Sequence, residues 1–148
     1  MADDLKGQLE AEVQLKCSPE QFFSVWKNDA QQVPNHTPSN VQGVKLHEGD
    51  WETSGCIKIW DYTIEGKPGV FKEKVELDEA NKIVKLIGLE GDVFEIYKVY
   101  NCIWHLKGNL AKVTIEYEKL NDNVPAPHIY LDFLVSMTKD IDASLVKP

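Results

Sequence analysis

The feature that most constrains this chain is a single change of period. From residue 41 to residue 119, runs of apolar–polar alternation are separated by short turn-forming clusters. After the loop at 121–127 the apolar spacing becomes three and four, and it holds to residue 146 as Tyr130, Phe133, Leu134, Met137, Ile141 and Leu145. Alternation marks half-buried strands, and the longer spacing marks one face of a helix. Turns this short permit only antiparallel neighbours, so residues 41–119 read as a meander. Its strands are 41–47, 55–64, 70–77, 82–89, 93–106 and 111–119. The turns between them lie at 65–69, 78–81, 90–92 and 107–109 and are rich in Gly, Asp, Asn and Pro.

Upstream, residues 5–15 alternate as one more strand, with Leu5, Leu9, Ala11, Val13 and Leu15 on one side. Ser18, Pro19 and Gln21 then form a helix-start signature. The Ser caps, the Pro tolerates the first turn, and the Gln stands three residues past the cap. Phe22, Phe23 and Trp26 share a face of that helix. A second short helix is expected near 30–33, ended by Pro34 and Pro38. The fold class is α+β. A seven-stranded antiparallel sheet, curved because twisted sheets of this size curl, grips a long C-terminal helix, and two short helices follow the first strand. The whole of 1–148 is expected to be one domain.

Composition narrows the partners. All 16 basic residues are lysine, they are scattered among acids, and the net charge is -8. A nucleic-acid partner is therefore not expected, because phosphate and base recognition lean on arginine forks and clustered positive charge. Cys17, Cys56 and Cys102 are odd in number and lack zinc or redox spacing, and the N-terminal residues carry no apolar signal core. The expectation is a cytoplasmic protein with reduced thiols, no membrane span, and an unused glycosylation sequon at Asn35-His36-Thr37. His36, His47, His105 and His128 are not at metal-binding spacing, and no cofactor fingerprint is present, so neither metal nor cofactor is expected.

The stretch HEGDWETSGCIKIW at 47–60 raises the question of a phosphate cradle. Gly49 and Gly55 lack the following Lys-Ser/Thr, and the next segment is strand-like, so it reads as a connector. This stretch, with LEGD at 89–92, IEYEKLN at 115–121 and YLDF at 130–133, closely resembles the plant major latex protein-like family, part of the birch-pollen-allergen superfamily of pathogenesis-related proteins. The resemblance runs the length of the chain. It implies the same sheet-and-helix grip and adds a large internal apolar cavity. Many relatives carry a fuller glycine-rich loop where this chain has Gly49, Trp51 and Gly55, so an anion-binding role for that loop is not carried over.

Strand parity and the family resemblance together nominate the ligand-binding residues. These are Phe23 and Trp26 from the first helix, Trp60 and Tyr62, Phe71 and Glu73, and Val84 and Leu86 from successive strands. The long strand adds Tyr97, Val99, Asn101 and Ile103, with Phe94, Ile96, Tyr100 and Trp104 as the opposite parity. The last strand adds Val113, Ile115 and Tyr117, and the last helix Tyr130, Phe133, Leu134 and Met137. Aromatic walls with a few polar tips suit a mostly apolar pocket, and they equally suit an ordinary core. Glu73 lies between Phe71 and Val75 on the apolar parity. A carboxyl there either orients a ligand hydroxyl or moves a proton, or it has a tyrosine or water partner or a place at the sheet edge. Lys58 and His105 are expected in solvent.

Two functions compete, with no catalytic residue assigned. One is a monomeric binder of hydrophobic or amphipathic plant small molecules, serving as carrier or store in defence or stress. The other is a cofactor-independent cyclase or isomerase using Glu73, Tyr62, Tyr97, Tyr117 or His105. A ribonuclease, claimed for some relatives, fits the acidic, arginine-free composition least.

Overall fold

The computed structural model describes residues 5–147. Strand β1 (Lys6–Gln14) leads to helix α1 (Pro19–Asn28), a single 3₁₀ turn (Ala30–Gln32) and the short helix α2 (Val33–His36). Six strands follow: β2 (Val41–Glu48), β3 (Ile57–Ile64), β4 (Lys67–Asp78), β5 (Ile83–Gly91), β6 (Tyr97–Lys107) and β7 (Leu110–Lys119). Helix α3 (His128–Leu145) ends the chain. All strand pairings are antiparallel, in the order β1-β7-β6-β5-β4-β3-β2. The first two strands thus hold opposite edges of the sheet, and α1 and α2 carry the chain across between them.

Helix α1 starts as its cap residues dictate. The Gln21 backbone N–H donates to Ser18 Oγ at 3.1 Å, and the Ser18 N–H donates to Gln21 Oε1 at 2.9 Å. Pro34 does not end a helix as its sequence context suggested. It sits in the first turn of α2, where a missing N–H costs nothing, and the helix ends at Thr37. The expected strand at 93–106 begins later, because Asp92–Glu95 form a 3₁₀ turn that delivers Val93 to the core.

Helix α3 lies across the sheet and is fixed to it by polar contacts in its second half. Trp104 Nε1 on β6 donates to Thr138 Oγ1 at 2.9 Å, and that hydroxyl donates to the Leu134 carbonyl at 2.7 Å. Asp142 accepts the backbone N–H groups of Lys16 (3.0 Å) and Cys17 (2.9 Å), which orients the turn from β1 into α1. Burial pushes the Asp142 carboxyl up, but the Cys17 and Lys16 hydrogen bonds outweigh it and hold it below its ordinary value. Thr37 donates to Asp140 at 2.7 Å, and His36 Nδ1 lies 2.6 Å from Ser144 Oγ. No helix of the described residues is long and apolar enough to cross a membrane.

Candidate ligand-binding site

Between the concave face of the sheet and α3 lies an internal cavity of about 50 Å³. Trp60 and Tyr62 on β3, Phe71 and Glu73 on β4 and Leu86 on β5 form its sheet wall, with Trp26 from α1 at one end. Tyr130, Phe133, Leu134 and Met137 of α3 roof it. The volume admits a few waters and is far below the ~300–1,000 Å³ of ordinary ligand pockets. The large cavity implied by family resemblance is mostly filled by the protein's own rings. Tyr62 and Phe133 stand 5.5 Å apart, Phe71 and Tyr100 5.6 Å, and Tyr100 and Tyr130 5.5 Å between centroids.

A second, outer depression of about 520 Å³ opens at the end of the sheet where α3 begins. It is lined by the β3–β4 turn, the 92–96 turn, and Pro125, Pro127, His128 and Ile129 ahead of and within the first turn of α3. Tyr62, Ile64 and Tyr130 belong to both spaces and form the partition between them. Tyr97 lines only the outer one, its hydroxyl donating to the Pro125 carbonyl at 2.6 Å. Ile96 and Ile129, both exposed, stand on the rim.

Parity on β6 is the opposite of that expected. Val99, Asn101 and Ile103 do not face the cavity, and neither does His105. Val99 is 38% exposed, and Asn101 reaches sideways toward Glu116 (3.4 Å) and the Gly88 N–H (3.3 Å). The inward residues are Tyr100, Cys102, Trp104 and Leu106. The physical cause is a register shift between Tyr97 and Val99 against β7, which adds one residue to β6. Tyr97 and Tyr100 therefore both point inward, three residues apart, and every later residue changes side.

The other nominated residues divide further. Val84, Val113 and Ile115 are fully buried beneath the helices without lining either space. Phe23 is buried too, with the Lys82 ammonium 5.4 Å from its ring. Tyr117, half-buried, packs edge-on against Tyr97 at 6.0 Å. Cavity residues absent from the nominated set include Val41, Val93, Tyr100, Cys102 and Trp104. The alternation Tyr100-Cys102-Trp104-Leu106 was the available signal for three of them. Burial pushes the Cys102 thiol up to about 12, which makes it a neutral wall rather than a nucleophile.

Glu73 is wholly buried, and neither carboxyl oxygen has a hydrogen-bond partner. It has neither a tyrosine partner nor a place at the sheet edge. Burial pushes its pKa up to about 8, opposed by the ammonium of Lys58 and by the nearby indole of Trp60, which lies outside hydrogen-bond geometry. Lys58 pairs with Glu73 across β3 and β4 and is 1% exposed, not solvated as expected. Its burial follows from sharing parity with Trp60 and Tyr62 and from Trp51, whose ring centroid lies 5.6 Å from the ammonium. The 49–55 loop is therefore a cover. Gly49 and Gly55 turn it with φ of 86° and 94°, and the Gly55 N–H donates to the Val75 carbonyl at 2.6 Å.

Comparison with known proteins agrees with this architecture. Residues 4–148 match the Pathogenesis-related protein Bet v 1 family. MLP-like protein 328 of Arabidopsis thaliana is 39% identical, over 95% of this chain and 97% of its own. The crystal structure of ginseng major latex-like protein 151 from Panax ginseng superposes with a TM-score of 0.94 at 37% identity, covering 97% of this chain and 99% of that one. Norcoclaurine synthase from Thalictrum flavum, 18% identical with a TM-score of 0.80 over 99% of this chain and 91% of that one, shares the fold alone. The chain belongs to the Bet v 1 family and, within it, to the major latex protein-like proteins.

Proposed function

We propose that this protein binds hydrophobic or amphipathic plant small molecules between the sheet and α3, as a carrier or store in defence or stress. It would act as a single-domain monomer. The observation that carries this reading is that the outer depression of about 520 Å³ and the aromatic-lined internal cavity adjoin, with Tyr62, Ile64 and Tyr130 lining both. Entry requires the rings of Tyr62, Tyr130 and Phe133 to swing aside, since the resting inner volume is too small for a whole ligand. Burial of ligand apolar surface at roughly 25 cal/mol per Å² supplies the driving force. Three buried free thiols suit a reducing compartment, the cytoplasm.

The test is native mass spectrometry of freshly purified protein, followed by titration with the fluorescent apolar probe ANS. A discrete co-purifying mass, or saturable one-site ANS binding displaced by alkyl compounds, is expected. Absence of both would sink the reading.

A second reading is favoured by Glu73 alone. A protonated carboxyl in an apolar cavity can act as general acid for a cofactor-independent cyclisation or isomerisation. It requires turnover that is lost in Glu73→Gln while ligand affinity is kept.

A further inference from the structure

Among the described residues, four buried side-chain polar atoms lack any hydrogen-bond partner: Trp26 Nε1, Trp60 Nε1, and both carboxyl oxygens of Glu73. All three residues line the same internal cavity. Buried polar groups are nearly always paired, and each orphan costs its full desolvation. The third tryptophan of the cluster supplies the contrast. Trp104 packs on Trp26 at 4.7 Å, yet its N–H is satisfied by Thr138. Unpaired groups are thus confined to the cavity wall, at the end closed by α1.

We infer that Trp26, Trp60 and Glu73 form a built receptor for one ligand hydroxyl, so that the preferred ligand is an apolar molecule carrying an alcohol that enters hydroxyl first. This rests on the carrier reading above and specifies it.

The donor and acceptor inventory selects the group. Two indole N–H groups can only donate, and Glu73 must accept or share a proton. A ketone would accept from the indoles and from the protonated carboxyl but leave the carboxyl's own carbonyl oxygen without a donor. An ammonium would pair with Glu73 and leave both indoles facing a donor. A carboxylate would carry a full charge out of water into a cavity whose wall holds no Lys or His to balance it. Lys58, opposite Glu73 on the neighbouring strand, is absent from that lining and has its ammonium 5.6 Å from the Trp51 ring centroid. A hydroxyl accepts from the indoles and donates to Glu73, and it is small enough for about 50 Å³. The apolar remainder would extend past Tyr62 and Tyr130 toward the outer depression.

The experiment measures displacement of ANS at mildly acidic pH by 1-dodecanol, its methyl ether and dodecanoic acid. The alcohol is expected to compete about tenfold better than the ether, which cannot donate, and better than the acid. In Glu73→Met the alcohol should fall by about tenfold while the ether holds or improves. Trp60→Phe, a milder change, should weaken the alcohol several-fold and leave the ether alone. Equal competition by alcohol and ether in the native protein overturns the proposal, as does an alcohol preference that survives both substitutions. The indole N–H resonances of Trp26 and Trp60 give a direct readout. Movement on adding alcohol supports the receptor, whereas fixed resonances with cross-peaks to long-lived water make the cavity a water site and reject it. If ANS binds saturably but the alcohol shows no preference, the receptor fails and the carrier reading stands. If ANS does not bind and no small molecule co-purifies, both fall.

Discussion

The two halves of α3 are held by different physics. From Ser136 onward the helix is tied by directed polar bonds: Asn40 to Ser136 (3.0 Å), Trp104 to Thr138, Thr37 to Asp140, and two backbone N–H groups to Asp142. Before Leu134, among the described residues, no α3 side chain makes a hydrogen bond to another element. That half rests on Tyr62, Tyr97 and Tyr100 through ring contacts, with Leu131 buried in the core beside them. Hydrogen bonds have narrow geometry and are costly to break when buried, whereas aromatic contacts can rearrange at modest cost. The anchored half sets where the helix lies. The ring-packed half faces the outer depression and is where a ligand would pass.

The largest expected effect breaks the anchored half. Asp142→Ala leaves the Lys16 and Cys17 N–H groups without their acceptor in a mostly buried place, and should cost about 3 kcal/mol. Urea unfolding at neutral pH measures it. The same carboxyl adds an acid limb to stability. Its pKa is depressed in the folded state, so its contribution is present above the unfolded value and is lost as pH falls through the folded one. A cost no greater than that of Tyr130→Ala, a ring removed from the other half of the same helix, would show that the two halves are not distinct.

Most of this arrangement was legible in the residues. Period alone separated the meander from α3, and Ser18, Pro19 and Gln21 located the start of α1 to the residue. Phe71 and Val75 put Glu73 on the apolar parity but left a place at the sheet edge open. What was not legible was anything set by a register shift. Parity counted from Tyr97 fails at Val99, because an extra residue in β6 can be seen only against β7. Lys58 was misread because its local sequence says loop edge, while its burial depends on Trp51, seven residues earlier, folding back over it. Cavity size was equally hidden, since it is a difference between ring volume and the space beneath the sheet.

The next effect sits beneath the helix, between the two halves. The folded-state pKa of Glu73, about 8, lies above its unfolded value of roughly 4.3. The folded protein therefore holds a proton that the unfolded chain releases, and stability falls as pH rises across that interval. Between pH 5 and 8 the native protein should lose on the order of 3 kcal/mol by this route. Glu73→Gln, with no proton to release, should flatten that decline in thermal unfolding followed across pH. An unchanged slope would mean the carboxyl is already charged and compensated.

Tyr130→Ala probes the ring-packed half. Tyr130 is half-buried and bridges the two spaces, so its loss should cost only about 1–2 kcal/mol. The distinguishing readout is kinetic. Removing the partition should raise both association and dissociation rates of an apolar probe several-fold in stopped-flow measurements. Asp142→Ala, by contrast, should leave those rates close to native wherever the protein remains folded. Rates that respond to Asp142 and not to Tyr130 would move the entrance to the anchored end.

The smallest expected effect sharpens the boundary of the mouth itself. Val99 and Tyr100 are adjacent on β6, yet the shifted register turns the first outward and the second inward against Phe71 and Tyr130. Val99→Ser exchanges an exposed apolar side chain for a polar one and should change stability by less than about 0.5 kcal/mol, with probe affinity unaltered. Tyr100→Ala removes a buried ring from the cavity wall and should cost about 3 kcal/mol, while enlarging the space available to a ligand. The pair measures the register rather than either residue. Had β6 run without its extra residue, Val99 would be the sensitive position, and a ligand response to Val99→Ser would restore the unshifted strand.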